Sequence, residues 1–414
     1  MNHAEPGADG AIRWLDDPAH RSFLIRDALR ALDFFDASPG ADGGFRMLDR
    51  DGLPLPDRAL ELHVTTRLIH SYGLARMAGR PDRADIIDRG MELLWRTHRD
   101  GRHGGYVWAV RDGDVLEGTK LAYGHVFVML AASTARMAGH PDADRLLADI
   151  ATVLDDRFWD REAGLFADEF TRDWQVFSTY RGMNANMHGA EALLAAHEAT
   201  GESEYLHRAG RILDFFIAGQ AATQDWRIPE HYDADWRPDH AYAGNPMFRP
   251  AGTTPGHSFE MARLLLQWWD LAGRPGADAV HQARRLVETA LPDAWDSGGG
   301  LAYTLDFNGR VSRADRYWWP VTEAIGALAA LLKADPRPGD EDWYRRLWRF
   351  ADAALIDHGR GGWFPEAGTA GRPASGQFTG KPDIYHALQA DLFPLVPGLA
   401  SHAQELARLE PLAG

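Results

Sequence analysis

The chain has 414 residues, 45% of them hydrophobic and 25% charged, and contains no cysteine. Disulfides, thiolate metal sites and cysteine nucleophiles are thereby excluded, while the apolar fraction is ample for a large buried core. Sixty acidic against 44 basic residues give a net charge of −16, the wrong sign for a nucleic-acid partner bound through counterion release.

Residues 1–10 are polar and include Glu5 and Asp9, unlike the apolar core of a signal peptide. No apolar run approaches the ~20 residues that cross a bilayer. A cytoplasmic protein without membrane contact is the expectation. Helical segments then follow in alternation. The first of each pair is expected over 20–35, 82–97, 142–158, 203–216, 277–294 and 341–356, the second over 61–78, 124–138, 184–200, 255–272, 320–334 and 383–392. Gly79-Arg80-Pro81, Gly139-His140-Pro141 and Gly273-Arg274-Pro275 end three of the second helices with a C′ glycine followed by proline.

After each first helix comes a glycine-aromatic or glycine-leucine element: Gly43-Gly44-Phe45, Gly104-Gly105-Tyr106, Gly164-Leu165-Phe166, Gly299-Gly300-Leu301 and Gly361-Gly362-Trp363. Asp225-Trp226-Arg227-Ile228 fills the matching place in the fourth unit without glycine. The steps are 61, 60, about 62, about 73 and 62 residues, too long for two-helix solenoid repeats. Six helix pairs result. The second helices are apolar on most faces, as in 325–332, and suit an inner layer. The first carry more charge and suit an outer one. The expected fold is all-α, an (α/α)6 barrel forming one catalytic domain over 1–414 with its core at about 15–395. An open helical solenoid is the competing architecture.

In such a barrel the inner helices run the same way and their N-termini meet at one end. Polar and aromatic residues recur there: His63 to Arg67, Tyr123-Gly124-His125, Asn184 to His188 with Glu191, Gly256-His257 with Glu260, Trp318-Trp319 with Glu323, and Asp383 to His386. Thr254 before Pro255 reads as an N-cap, and Asp383 and Asn184 as further caps. Histidines at helix starts are biased towards the neutral, proton-accepting form. Glu260, three residues beyond His257, shares its helical face and could orient that imidazole or touch a substrate. Several histidines, an arginine, carboxylates and flat rings together suit a polyhydroxylated ligand. His63, His70 and His125 read as caps or core groups, Trp318-Trp319 equally as packing, and Arg67, Glu191 and Glu323 equally as members of ion pairs. No HExxH, P-loop, dinucleotide or GxSxG motif is present, so no metal and no cofactor are expected.

Residues Tyr123-Gly124-His125, Asn184-Ala185-Asn186-Met187-His188, Gly256-His257-x-x-Glu260 and Lys381-Pro382-Asp383-Ile384-Tyr385-His386-Ala387-Leu388-Gln389 resemble the acylglucosamine 2-epimerase superfamily over about 15–395. They are most similar to its aldose–ketose isomerase branch, which holds D-mannose and sulfoquinovose isomerases. The resemblance implies an (α/α)6 barrel, a catalytic pair His257 and His386, and Glu260 as the carboxylate beside the first. It places Arg67, Tyr123, Asn184 and His188 against the sugar and adds Arg249 from a loop. Glu191, Trp318, Trp319 and Glu323 complete the expected binding set.

The implied reaction interconverts D-mannose and D-fructose through a cis-enediolate, with a histidine as base and then acid. A sugar 2-epimerase of cellobiose or N-acylglucosamine type, a sulfoquinovose isomerase, a carboxylate-dependent glycosidase and a non-catalytic binding protein are the alternatives. A monosaccharide substrate and a monomer or homodimer are expected.

Overall fold

The computed structural model describes residues 12–409 except 41–42, 56–58, 81, 243, 246–247, 369–370 and 375. The polar start at 1–10 and Pro81 therefore lie outside the described residues. In chain order the helices are α1 (Pro18–Phe35), α2 (Leu62–Met77), α3 (Ala84–Leu93), α4 (Ala122–Met137) and α5 (Ala143–Val153). They continue as α6 (Met183–Thr200), α7 (Ser203–Leu213), α8 (Pro255–Leu271), α9 (Asp278–Ala294), α10 (Trp318–Ala334), α11 (Asp340–Ala354), α12 (Tyr385–Leu395) and the short α13 (His402–Leu406). α3, α5 and α7 each finish in a wider π-helical stretch, at Leu94–His98, Leu154–Phe158 and Asp214–Gln220.

The even-numbered helices through α12 pack side by side in a closed ring, α12 meeting α2 again. Each of α3, α5, α7, α9 and α11 packs on the inner helix that precedes it, and α1 packs on α12. The ring is thus sealed by joining the first helix to the last inner one, giving an (α/α)6 barrel rather than an open arc. Sequence order pairs each outer helix with the inner helix after it. In space the tighter partner is the one before, because the short glycine–proline connections leave little room to separate them.

The layers follow from residue pattern. α10 buries Val321, Ile325, Leu328, Leu331 and Leu332 around its whole circumference, whereas α3 buries only a stripe of Ile86, Ile87, Gly90 and Met91. The inner helices α2, α4 and α8 stop through one device. Gly79, Gly139 and Gly273 take φ of +90°, +81° and +80°, and the N–H of the next residue donates to Ala75, Ala135 and Trp269 respectively, a Schellman closure.

The glycine-aromatic elements close small hairpins after the outer helices. Phe45, Tyr106, Phe166, Leu301 and Trp363 bridge Pro39, Arg99, Trp159, Trp295 and Ile356. In the fourth unit Asp225 and Trp226 take φ of +49° and +62°, so the left-handed turn persists where glycine does not.

A second set of short pairings laces neighbouring units together at the inner-helix N-termini. Leu60–Glu61 pairs with Ala109–Val110, Lys120–Leu121 with Glu169–Phe170, and Arg181–Gly182 with His231–Tyr232. Thr253 bridges Leu305, Arg316–Tyr317 pairs with Glu366–Ala367, and Lys381 returns to Leu48 in the first unit. Six such contacts complete the circle and fix the rim of the site. No helix among the described residues is long and apolar enough to cross a membrane.

Candidate active site

Because six parallel helices start at one rim, their residues fall into levels. Counted from each helix start, the second residues are His63, Tyr123, Asn184, Gly256, Trp319 and His386. One turn deeper, the sixth residues of α2, α4, α6, α8 and α10 are Arg67, Phe127, His188, Glu260 and Glu323. The rim is polar-aromatic and the level beneath it is mostly ionisable.

His257 and His386 both lie against the Trp319 ring, at centroid distances of 5.0 Å and 6.0 Å. Each imidazole is held at Nδ1 by a carboxylate. Glu230 lies 2.9 Å from His257 Nδ1 with both oxygens, and Glu323 Oε1 lies 2.7 Å from His386 Nδ1. A carboxylate at Nδ1 fixes the proton there and leaves Nε2 as the lone-pair nitrogen. Among the described residues, Nε2 of neither histidine has a hydrogen-bond partner. The Trp319 position depends on Gly256, since a Cβ there would fall 2.2 Å from the indole.

Opposite this pair stands Arg67, whose guanidinium donates to Asp383 and, at 2.8 Å, to the Tyr123 hydroxyl. It is sandwiched against Phe127 and Tyr385, 4.8 Å and 5.0 Å from their centroids. Burial works against its charge, and Tyr123, Asp383 and Tyr385 hold it. His188 sits edge-on to Tyr123 with Nδ1 3.3 Å from Glu191 and 3.5 Å from Glu260. Burial lowers its pKa to about 4, with Glu191 opposing, so it is neutral at pH 7.

Beneath this level Arg263 of α8 faces three carboxylates: Glu323 at 3.3 Å, Glu260 at 3.6 Å and Glu191 at 3.9 Å. Glu191 also accepts from Tyr385 and Gln389. Burial pushes Glu191 and Glu323 upward, but His188 and Arg263 hold the first, and Arg263 and His386 the second, below the usual range. Glu260 differs. Both its oxygens are buried without a hydrogen-bond partner among the described residues, and burial plus the charges of Glu323 and Glu191 drive it well above the usual range. His188, Glu191 and Glu260 bring three donor atoms within 4.8 Å of one another, but the cation they face is the Arg263 guanidinium.

The structure therefore gathers Arg67, Tyr123, His188, Glu191, His257, Glu260, Trp319, Glu323 and His386, with four departures from expectation. Glu260 does not orient His257. It lies a turn deeper, beside His188 and Arg263, and Glu230 holds His257 instead. Asn184 is no cap, because α6 already begins at Met183; its Oδ1 is buried without a partner. Trp318 is buried edge-on against Phe378, a packing residue behind His386. Arg249 is paired bidentately with Glu169, at 3.2 Å and 2.9 Å, over the Tyr180 ring. Glu230 and Arg263 were not singled out from sequence. A signal for Glu230 does exist. Asp168, in the preceding unit, accepts from the N–H of Gly182 before α6, just as Glu230 accepts from Thr254 before α8.

A cavity of about 580 Å³ lies at the far end, where α10 and α12 finish. The Arg13, Arg21 and Lys333 side chains around it donate to the carbonyls of Leu332, Leu395 and Phe393. They are cations closing helix C-termini, not a second set of site residues.

The N-acylglucosamine 2-epimerase (GlcNAc 2-epimerase) family profile matches residues 43–390. D-mannose isomerase from Thermobifida fusca is 38% identical over 404 residues, covering 95% of this chain and 98% of that protein. D-mannose isomerase from Pseudomonas cannabina pv. alisalensis is 38% identical over 406 residues, covering 96% and 98%. A crystal structure of D-mannose isomerase superposes with a TM-score of 0.86 at 31% identity, over 92% of this chain and 99% of that one. The cellobiose 2-epimerase of Spirochaeta thermophila shares the fold, with a TM-score of 0.81 at 24% identity over 91% and 95%.

Proposed function

Because the chain belongs to the N-acylglucosamine 2-epimerase family, we propose that it acts as one catalytic domain, a sugar isomerase that interconverts D-mannose and D-fructose. The observation that carries this is the His257–Trp319–His386 arrangement, in which two imidazoles, each backed by a carboxylate, lie against one flat ring. The similarity to D-mannose isomerases over nearly the full chain supports the choice of sugar. Arg67 and Arg249 are each already paired with a carboxylate, which favours a neutral sugar over a sulfonated one.

Isomerisation needs proton transfer at two carbons and two oxygens. In the open-chain aldose His386 Nε2 removes the C2 proton while His257, as imidazolium, protonates O1. A cis-enediol(ate) results. His386 then returns its proton to C1 and His257 takes one from O2, leaving the ketose and both histidines as they began. Ring opening uses His257 in the same two senses. Arg67 and Tyr123 supply donors to the oxygens that gain charge, Trp319 offers a face to sugar C–H groups, and Glu230 and Glu323 stabilise whichever imidazole is charged. Acid–base groups suffice for every step, so no cofactor enters the proposal.

The test is incubation with mannose, other free hexoses, cellobiose, N-acetylglucosamine and sulfoquinovose, with product identification before and after exhaustive chelation. Fructose from mannose, undiminished by chelation, is expected. Glucose from mannose would indicate epimerisation, and activity lost to EDTA and restored by one divalent ion would refute the acid–base reading.

A further inference from the structure

Arg263 belongs to none of the motifs that mark the site, yet it lies at the centre of the buried charge beneath it. Around it stand Glu191 of α6, Glu260 of α8 itself and Glu323 of α10. Arg67, the buried cation a turn below the rim on α2, is committed to Asp383. Three carboxylates thus share one guanidinium. We propose that Arg263 is a positioning residue for the isomerisation, gathering Glu191, Glu260 and Glu323 under the sugar so that Glu323 stays anionic behind His386.

The proposal rests on the isomerase reading for its kinetic consequences only. One guanidinium cannot balance three buried charges, so the cluster retains a proton. Glu323 and Glu191 are poor places for it, since each accepts hydrogen bonds that favour the anion: Arg263 and His386 on Glu323, Tyr385 and Gln389 on Glu191. Glu260, whose oxygens accept none, is where it resides. The other ionisable groups facing His386 and the cluster are His188 of α6, Arg67 and His70 of α2, Tyr123 of α4, Asp383 and Tyr385 at the start of α12, and His402 of α13. Asp383 is balanced by Arg67, and burial keeps His188, His70 and His402 neutral, so Arg263 is the cation that sets the charge on Glu323.

The experiment compares wild type with Arg263→Lys, Arg263→Gln and Glu260→Gln by infrared spectroscopy of 13C-glutamate-labelled protein and by the pH profile of kcat/KM on mannose. Wild type and Arg263→Lys should each show one buried protonated carboxyl at pH 7, Glu260→Gln none, and Arg263→Gln an additional one. Arg263→Gln should move the acid limb of kcat/KM up by about 1–3 pH units, the range that loss of a charge within ~4–6 Å produces. Arg263→Lys and Glu260→Gln should leave that limb in place. A limb unmoved in Arg263→Gln, or a wild type without a protonated carboxyl, overturns the proposal. Should Arg263→Gln not fold, the Glu260→Gln spectrum and limb decide alone: a limb that falls means Glu260 was ionised, and the proposal fails. Absence of turnover in wild type would sink the isomerase reading instead, with the infrared result still deciding the cluster.

Discussion

Gly256→Ala tests whether Trp319 must keep its place against the two histidines. The new Cβ would fall 2.2 Å from indole Cζ3, with Cη2 at 2.7 Å and Cε3 at 2.9 Å. Carbon atoms pack best at ~3.5–4.0 Å, so the ring must retreat by roughly 1.3–1.8 Å. It cannot do so in place, because His257 and His386 stand 5.0 Å and 6.0 Å from its centroid and Tyr303 meets it edge-on. Overpacking of this kind costs about 1–3 kcal/mol of stability, and misplacing a positioning group by ~1 Å costs about 10²-fold in rate. The assay pairs thermal unfolding with kcat and KM on mannose. The double variant Gly256→Ala/Trp319→Phe relieves the clash, so melting should recover while kcat/KM stays low for want of the indole. Wild-type kinetics in Gly256→Ala would refute the placement of the ring and its role together.

Replacing His257 or His386 with Ala should lower kcat by about 10²–10⁴-fold each with helicity retained, and the double variant should lose far less than the product, since groups acting as a unit are not additive; circular dichroism and steady-state kinetics check both. Glu230→Gln keeps an oxygen for the Thr254 N–H but removes the charge behind His257, replacing a charge-assisted bond by a neutral one that is weaker by about 1–1.5 kcal/mol, or roughly tenfold in kcat; an unchanged kcat would show that Glu230 serves only the helix start. At the α1–α12 seam burial raises Asp27 to about 6, the Trp363 N–H opposing, and raises Asp391 well above the usual range, Asp27 adding to it. Folded-state values above the unfolded ones mean stability present in full below about pH 4 and lost as pH rises through 6 and beyond, at about 1.4 kcal/mol per unit per group; Asp391→Asn should therefore melt higher than wild type at pH 8 and nearly together with it at about pH 4.

The barrel was legible because its signals are local. A left-handed turn after five of the six outer helices selects glycine, and a Schellman closure after three inner helices selects Gly before Arg-Pro or His-Pro, so repeated copies of one unit write their punctuation into the chain. Helix polarity then placed Tyr123, His188, His257 and His386 at one end without any contact being known. What stayed hidden is what depends on distance across the ring. His257 meets a carboxylate 27 residues upstream in a loop, whereas helical spacing points to Glu260; at the third and sixth positions of α8 the two side chains stand a turn apart in depth, and the deeper one meets the neighbouring helices. The same depth explains Arg263. It lies two turns below the rim, where a sequence shows only an arginine in an apolar helix, and its meaning comes from Glu191 and Glu323 on helices 72 and 60 residues away. The rim can thus be read helix by helix, while the charge beneath it is a property of the closed ring. Substitutions at the rim outside the His257–His386 pair should accordingly act one residue at a time, and those at Arg263, Glu260 and Glu323 should act as a set.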